Sequence, residues 1–373
     1  MLISRSKNKD SSFSKIVIRE RGFTLVEVMI SMVIFLIVTA SIHGLLQVAR
    51  VDRNRSSRRA DILKNARVAV HLIGRDTLNA GLGYHRRGAI VPDDFLSTVL
   101  ETPADDNDDR DILTSIIAGN DIYSNNLLSD QNIKTDMITF AFRDLDFNNS
   151  DVVELQNVNS PTGNPATASL VTKTATGATE AKANDLYLIE SDTSQVAVFA
   201  SAVNGSNQIN ISPNDPLGLN QALNGVDENG SLLRKCVDSA DQNCTTYLAS
   251  LKRFFLVKYH VKPDGTLVRT VYGNNRDAAT PADQIQEFPL AYNVENMQIR
   301  YLLKDGRVTE NPSAGPDGDV GTDDDTPEDC NLIRQITVTL TVQSFEADEQ
   351  TKKMDKITIS STFSTRNLEY DAG

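Results

Sequence analysis

A chain of 373 residues is long enough for one large domain or two small ones, and its formal net charge of −13 is unevenly spread. Sixteen of the 37 Lys and Arg but only six of the 50 Asp and Glu precede residue 91, which leaves residues 91–373 at −23. So acidic a remainder excludes a protein that binds nucleic acid by neutralising phosphates, which takes clustered Lys and Arg. It attracts cations instead.

The first 22 residues are a basic leader, with Arg5, Lys7, Lys9, Lys15, Arg19 and Arg21 against Asp10 and Glu20. An apolar run follows, and between Glu27 and Arg50 no Asp, Glu, Lys or Arg occurs. As a helix, Val28 to Ala49 extends about 33 Å, enough to cross a hydrocarbon core of about 30 Å. Glu27 sits at the entrance of this run, where a carboxylate is costly and needs a partner. If the chain is cut between Gly22 and Phe23, a new terminal amine lies four residues before Glu27 and supplies a cation. Charge alone leaves the orientation open, because Arg50, Arg53, Arg55, Arg58 and Arg59 answer the basic leader across the span. An ordinary secretory signal, with Val38-Thr39-Ala40 as its cleavage site, is the competing reading of the same stretch.

The stretch Arg21-Gly22-Phe23-Thr24-Leu25-Val26-Glu27-Val28-Met29-Ile30, with the leader before it and the apolar run after it, resembles the class III signal of type IV pilins and type II secretion pseudopilins. The resemblance implies cleavage after Gly22 by a prepilin peptidase, N-methylation of Phe23, and pairing of Glu27 with the terminal amine of an adjacent subunit. It implies a single-pass protein of the bacterial inner membrane, with its leader cytoplasmic and its head periplasmic.

From Val51 the helix is expected to continue to about Ala80. Leu63, Ala66, Val70 and Ile73 recur at three- and four-residue steps on one face, with Arg67 and Arg75 outside it. Gly81 and Gly83 are suited to end it. The segment Asn65 to Asp76, followed by Asn79-Ala80-Gly81, is similar to the stalk end of PilW-type minor pilins.

Pro92 to Asp130 reads as irregular structure with short helical pieces. Strands are expected at Met137–Phe142, Val152–Leu155, Leu186–Ile189 and Val196–Phe199. The Ser-, Thr-, Ala- and Gly-rich stretch 159–184 and residues 203–250 read as loops. Phe255, Val257, Tyr259 and Val261 alternate, Lys262-Pro263-Asp264-Gly265 makes a turn, and Leu267 to Tyr272 returns as a hairpin. Alternation also marks Met297 to Leu303 and Ile336 to Val342, and Ile357, Ile359 and Phe363 close the set. The expected fold class is therefore α+β: a long N-terminal transmembrane and stalk α-helix packed on an antiparallel β-sheet head. Its parts are a leader (1–22), a transmembrane assembly helix (23–49), an amphipathic stalk (50–81) and an acidic β-rich head (82–373). Val294 to Tyr301, Ile333 to Leu340 and the terminal Arg366-Asn367 look like the end pattern of PilW or GspJ proteins, and the chain's size favours the former.

In Gly315–Asp325, alternating aspartates on a tightly turning backbone can offer several hard oxygens to one ion. Asp317, Asp319, Asp323 and Asp325 are the candidate calcium ligands, against the alternative of a solvated acidic turn. Asp105, Asn107, Asp109 and Asp111 form a weaker set, as do Asp144, Asp146 and Asn148. Cys236 and Cys244 flank a short polar loop and are expected to form a local disulfide, with Cys330 outside the pair. His43, His71, His85 and His260 are scattered, and no nucleophile elbow or phosphate-binding loop is present, so no enzymatic activity is expected.

Taken together, the resemblance implies a PilW-type minor pilin that primes assembly or lies at the pilus tip. Its partners would be prepilin peptidase, other minor and major pilins, and the inner-membrane platform with its ATPase motor. A GspJ-like minor pseudopilin is the close alternative. A membrane-tethered calcium-dependent adhesin that does not polymerise is the alternative of a different class.

Overall fold

In the computed structural model the described residues are 22–85, 88–103, 110–125, 133–151, 153–159, 168–173, 180–190, 195–205, 207–220, 249–315, 327–348 and 351–368. The chain divides into two compact units, residues 1–56 and 57–373. One helix, α1 (Leu25–Asn79), has its first half in one unit and its second half in the other.

In the first unit, residues 25–56 form a helix that no proline interrupts. Its apolar side chains are exposed, from Leu25 at 77% to Val48 at 56%. The hydroxyls of Ser31 and Ser41 donate to the carbonyls of Val28 and Ile37 at 2.9 and 2.8 Å, which satisfies them inside their own helix. This helix is long and apolar enough to cross a membrane.

In the second unit, residues 57–79 bury Ile62, Ala66, Ala69, Val70 and Ile73, while Arg67 and Arg75 stay exposed. Small residues let the helix lie close to the sheet. A Cβ on Gly74 would stand 2.3 Å from Cε1 of Phe363. Gly81 (φ 77°) and Gly83 (φ 61°) then turn the chain through the left-handed region as expected. Asn367, near the end of the described chain, donates from Nδ2 to the Leu78 carbonyl at 2.8 Å, satisfying one of the helix's terminal acceptors.

The rest of the unit is almost all β. In chain order the elements are β1 (Ala89–Pro92), α2 (Phe95–Val99), β2 (Arg110–Leu113), β3 (Ile116–Asn125), β4 (Ile133–Arg143) and β5 (Val153–Asn159). Next come β6 (Ala168–Thr172), β7 (Leu186–Glu190), β8 (Gln195–Phe199), β9 (Ala202–Asn204), β10 (Gln208–Ile211), β11 (Ser250–Val261) and β12 (Leu267–Tyr272). The last are β13 (Ile285–Ala291), β14 (Val294–Leu303), β15 (Val308–Thr309), β16 (Ile333–Ala347) and β17 (Met354–Ser364). They form a 13-stranded sheet and a four-stranded sheet ordered β15-β14-β16-β17. Among the described residues the pairings are antiparallel except β1 with β8.

Strand β11 joins two parts of the large sheet. Its first four residues pair with β7, whereas Phe254–Tyr259 pair with β4 and Leu256–Val261 with β12. Asn274 (φ 57°) closes the junction: Nδ2 donates to the Phe254 carbonyl at 2.9 Å and Oδ1 accepts from the Leu186 N–H at 3.0 Å. The Lys262–Gly265 turn is present, with the Gly265 N–H donating to the Lys262 carbonyl at 2.8 Å.

Two groups of strands depart from the expected loops. β1, β2 and β3 lie within or beside the stretch expected to be irregular. β3 lacks alternation because it is buried on both faces: Ile116 joins the core beneath α1, and Ile117 joins a second core formed with α2, β7 and β8. β6, β9 and β10 arise in the polar stretches, where Leu170, Ile209 and Ile211 suffice to line a third core. β13 contains Pro289 and, among the described residues, pairs with β12 alone, a position where a missing N–H is tolerated.

The amino-terminal motif as candidate functional site

Helix α1 begins with a capping box. The Thr24 N–H and hydroxyl both donate to Glu27 Oε2, at 3.0 and 3.1 Å, and the Glu27 N–H donates back to Thr24 Oγ1 at 3.3 Å. Thr24 is thus the N-cap and Glu27 the third helical residue, the arrangement that satisfies two orphan N–H groups at once. The positive end of the helix dipole also favours the carboxylate there. Oε1 of Glu27 has no partner among the described residues and is exposed, so one oxygen remains open to an external cation.

Gly22 and Phe23 precede this cap, exposed and outside the helix. A Cβ added at Gly22 would meet nothing within 4 Å. The fold itself therefore makes no demand for glycine at this position, in contrast to Gly74 or Gly81. The sequence reading expected Glu27 to need a cationic partner and missed Thr24, although Thr-x-x-Glu before an apolar run is a legible capping-box signal.

The other expected sites fare differently. Asp317, Asp319, Asp323 and Asp325, and both Cys236 and Cys244, lie outside the described residues, as do Asp105, Asn107 and Asp109. Asp111 is buried and accepts the Leu96 N–H on Oδ2 at 2.8 Å, so it supports α2. In the third acidic set, Asp144 is buried and engaged by Arg253, whose Nε lies 2.6 Å from Oδ2, while Oδ1 accepts the Asp146 N–H at 2.9 Å. Both its oxygens serve the protein's own donors. Among the described residues no three His, Cys, Asp or Glu gather as a metal group. Cys330 is buried against the core beneath α1.

The head holds buried ion clusters that the sequence did not disclose. Asp76 of α1 meets Arg75, Arg269 and Tyr259. Asp185, fully buried, receives Arg276 through Nε at 2.9 Å and Nη2 at 2.8 Å. Lys258 reaches Glu101 at 2.7 Å and lies over the Tyr123 and Tyr272 rings. Burial pushes the Asp136 carboxyl up to about 6, although the N–H groups of Asp121 and Ile299 oppose the shift. These charges are paired or accept hydrogen bonds, which is how a folded head tolerates them.

Comparison with known families matches residues 18–42 to the family described as Prokaryotic N-terminal methylation motif. Among curated proteins no match is found. The matched segment covers Gly22, Phe23, the Thr24–Glu27 cap and the apolar run as far as Ile42. The chain thus carries a type IV pilin-like class III signal at the start of a helix able to anchor it, which supports a pilin-like or pseudopilin protein.

Proposed function

We propose that this chain is a minor pilin of PilW type, cleaved after Gly22, methylated at Phe23, and built into a type IV pilus at or near its tip. The observation that carries the reading is the methylation motif at the mouth of the apolar helix, with one oxygen of Glu27 left open beside the cleavage point. After cleavage the amine of Phe23, its own or a neighbour's, becomes a cation for that oxygen. The large acidic head makes the chain ill suited to every repeat of a slim filament, which favours a tip or priming role over that of the bulk subunit.

The test is the mature N-terminus, read by mass spectrometry on protein purified from its native membranes. The expected chain begins at N-methylated Phe23. An intact leader, or a start at Ser41 after an ordinary secretory cut, overturns the proposal.

A further inference from the structure

Helix α1 and strand β17 run alongside each other in the same direction. Arg58 holds Asp355 at 3.7 Å, Gly74 abuts Phe363, and Asn367 binds the Leu78 carbonyl. The connection from β16 to β17 is therefore packed where α1 enters the second unit, and Arg58 pins it through Asp348 at 3.1 Å. Arg58 follows Ala49, the last residue of the uncharged run, by nine positions, so even a fully extended chain keeps it within about 32 Å of that run.

This connection exposes apolar side chains that none of the three cores uses. The register of β16 on β17 slips between Gln343 and Ala347, and within that bulge Phe345 is 64% exposed; Met354, opposite Ala347, is 43% exposed. Lys352 and Lys353, just before Met354, are exposed and form no ion pair among the described residues. Residues 343–356 carry three lysines against four acidic residues, and Arg58 brings the sum to zero, whereas residues 91–373 as a whole carry −23. An anionic surface that repels the rest of the head does not repel this end.

We infer that the β16–β17 connection is a foot that rests on the phospholipid surface of the membrane crossed by α1, with Phe345 and Met354 among the headgroups and Lys352 and Lys353 on their phosphates. An exposed aromatic ring beside lysines is the pairing that the headgroup layer favours, because the ring takes the apolar side of that layer and the ammonium groups reach its phosphates. The intervening chain supplies Arg50, Arg53, Arg55 and Arg59 against Asp52, which draw anionic headgroups to the same place. The tether selects lipid over a soluble partner, since the membrane surface is always within reach of this connection. The inference rests on the membrane-anchor part of the reading above and not on the pilin assignment.

The chain contains no tryptophan, so a single introduced one reports alone. Full-length Phe345→Trp is reconstituted in vesicles of phosphatidylethanolamine and phosphatidylglycerol whose acyl chains carry bromine near the headgroup, and its emission is compared with that in unbrominated vesicles. The reference is Phe288→Trp: Phe288 is 47% exposed, on β13 opposite Arg269, which reaches Asp76, about 27 Å farther along α1 than Arg58. Phe345→Trp should emit further to the blue and lose more intensity to bromine than Phe288→Trp, and Lys352→Glu/Lys353→Glu should reduce both effects. All these side chains are exposed, so the substitutions leave the cores intact. Equal quenching at the two positions, a blue shift without quenching, which marks contact with protein, or indifference to the lysine reversal overturns the inference. Phe35→Trp, inside the apolar run, separates the two failures. Quenching there but not at 345 sinks this inference alone, and no quenching there sinks the anchor reading instead.

Discussion

Tyr259 of β11 donates its phenolic proton to Asp76 Oδ2 of α1 at 2.6 Å, tying helix to sheet through a carboxylate that is 1% exposed. Arg269 Nε reaches the same oxygen at 3.0 Å and the Tyr259 oxygen at 3.1 Å, so three groups share one point. Burial and the adjacent Asp76 charge hold the Tyr259 phenol well above its ordinary pKa, so it remains a donor throughout the neutral range. Removing Asp76 strands the Arg269 cation, a loss on the order of 3–5 kcal/mol for a buried pair broken from one side. Tyr259→Phe removes one hydrogen bond and should cost about 1–3 kcal/mol. Chemical denaturation of the full chain in detergent should therefore rank Asp76→Ala well below Tyr259→Phe, and both below the parent.

The second contact is steric. With Phe363 Cε1 2.3 Å from where a Gly74 Cβ would stand, Gly74→Ala must push β17 away from α1 or twist the ring off its rotamer. Overpacking of this kind costs about 1–3 kcal/mol, which outweighs the ~1 kcal/mol gain in helix propensity from glycine to alanine. The expected result is a lower melting temperature, partly recovered by adding Phe363→Leu. A variant more stable than its parent would show that propensity wins here.

Acid should weaken the head through His260. Its ring stacks on Tyr123 at 4.7 Å between centroids, and burial, then the Lys258 charge, lowers its pKa to about 4 despite Glu101 and Glu287, with Lys262 adding to the lowering. In the unfolded chain the ordinary value of about 6.5 returns. The unfolded state thus takes up the proton first, so stability is fully present above pH 6.5 and is lost as pH falls towards 4, on the order of 3 kcal/mol in all. Asp136, raised to about 6, acts in the opposite sense over an overlapping window, because its folded form is protonated first. Thermal melts of the parent and His260→Phe from pH 7 to 4 separate the two effects, since Asp136 is common to both. The parent should lose more stability than the variant.

At the other end of α1, Thr24→Ala removes the N-cap and should weaken the first turn by about 0.5–2 kcal/mol, whereas Thr24→Ser keeps the hydroxyl and most of the effect. Amide hydrogen exchange at Val26, Glu27 and Val28 in detergent micelles reads this directly. Protection should fall in Thr24→Ala and hold in Thr24→Ser. Equal protection in all three would mean the capping box adds nothing to this helix end.

The parts whose physics is local were legible in the amino-acid order. The apolar run after Glu27, the three- and four-residue steps of Ala66, Val70 and Ile73, the glycines at 81 and 83, and the alternation in β11, β14 and β16 each depend on neighbours within one element. The Gly22-Phe23-Thr24-Leu25-Val26-Glu27 motif was legible for the same reason, since its chemistry is contiguous. Which strands lie buried on both faces emerges only from the packing of the folded chain. Ile116 and Ile117 face two different cores, and a strand so placed shows no alternation to read. Packing also decided which carboxylates are committed to the fold: Asp144 looked like a surface ligand until Arg253, 109 positions away, came beside it. Pairings over such separations follow from the packing of distant strands, and no local pattern encodes them.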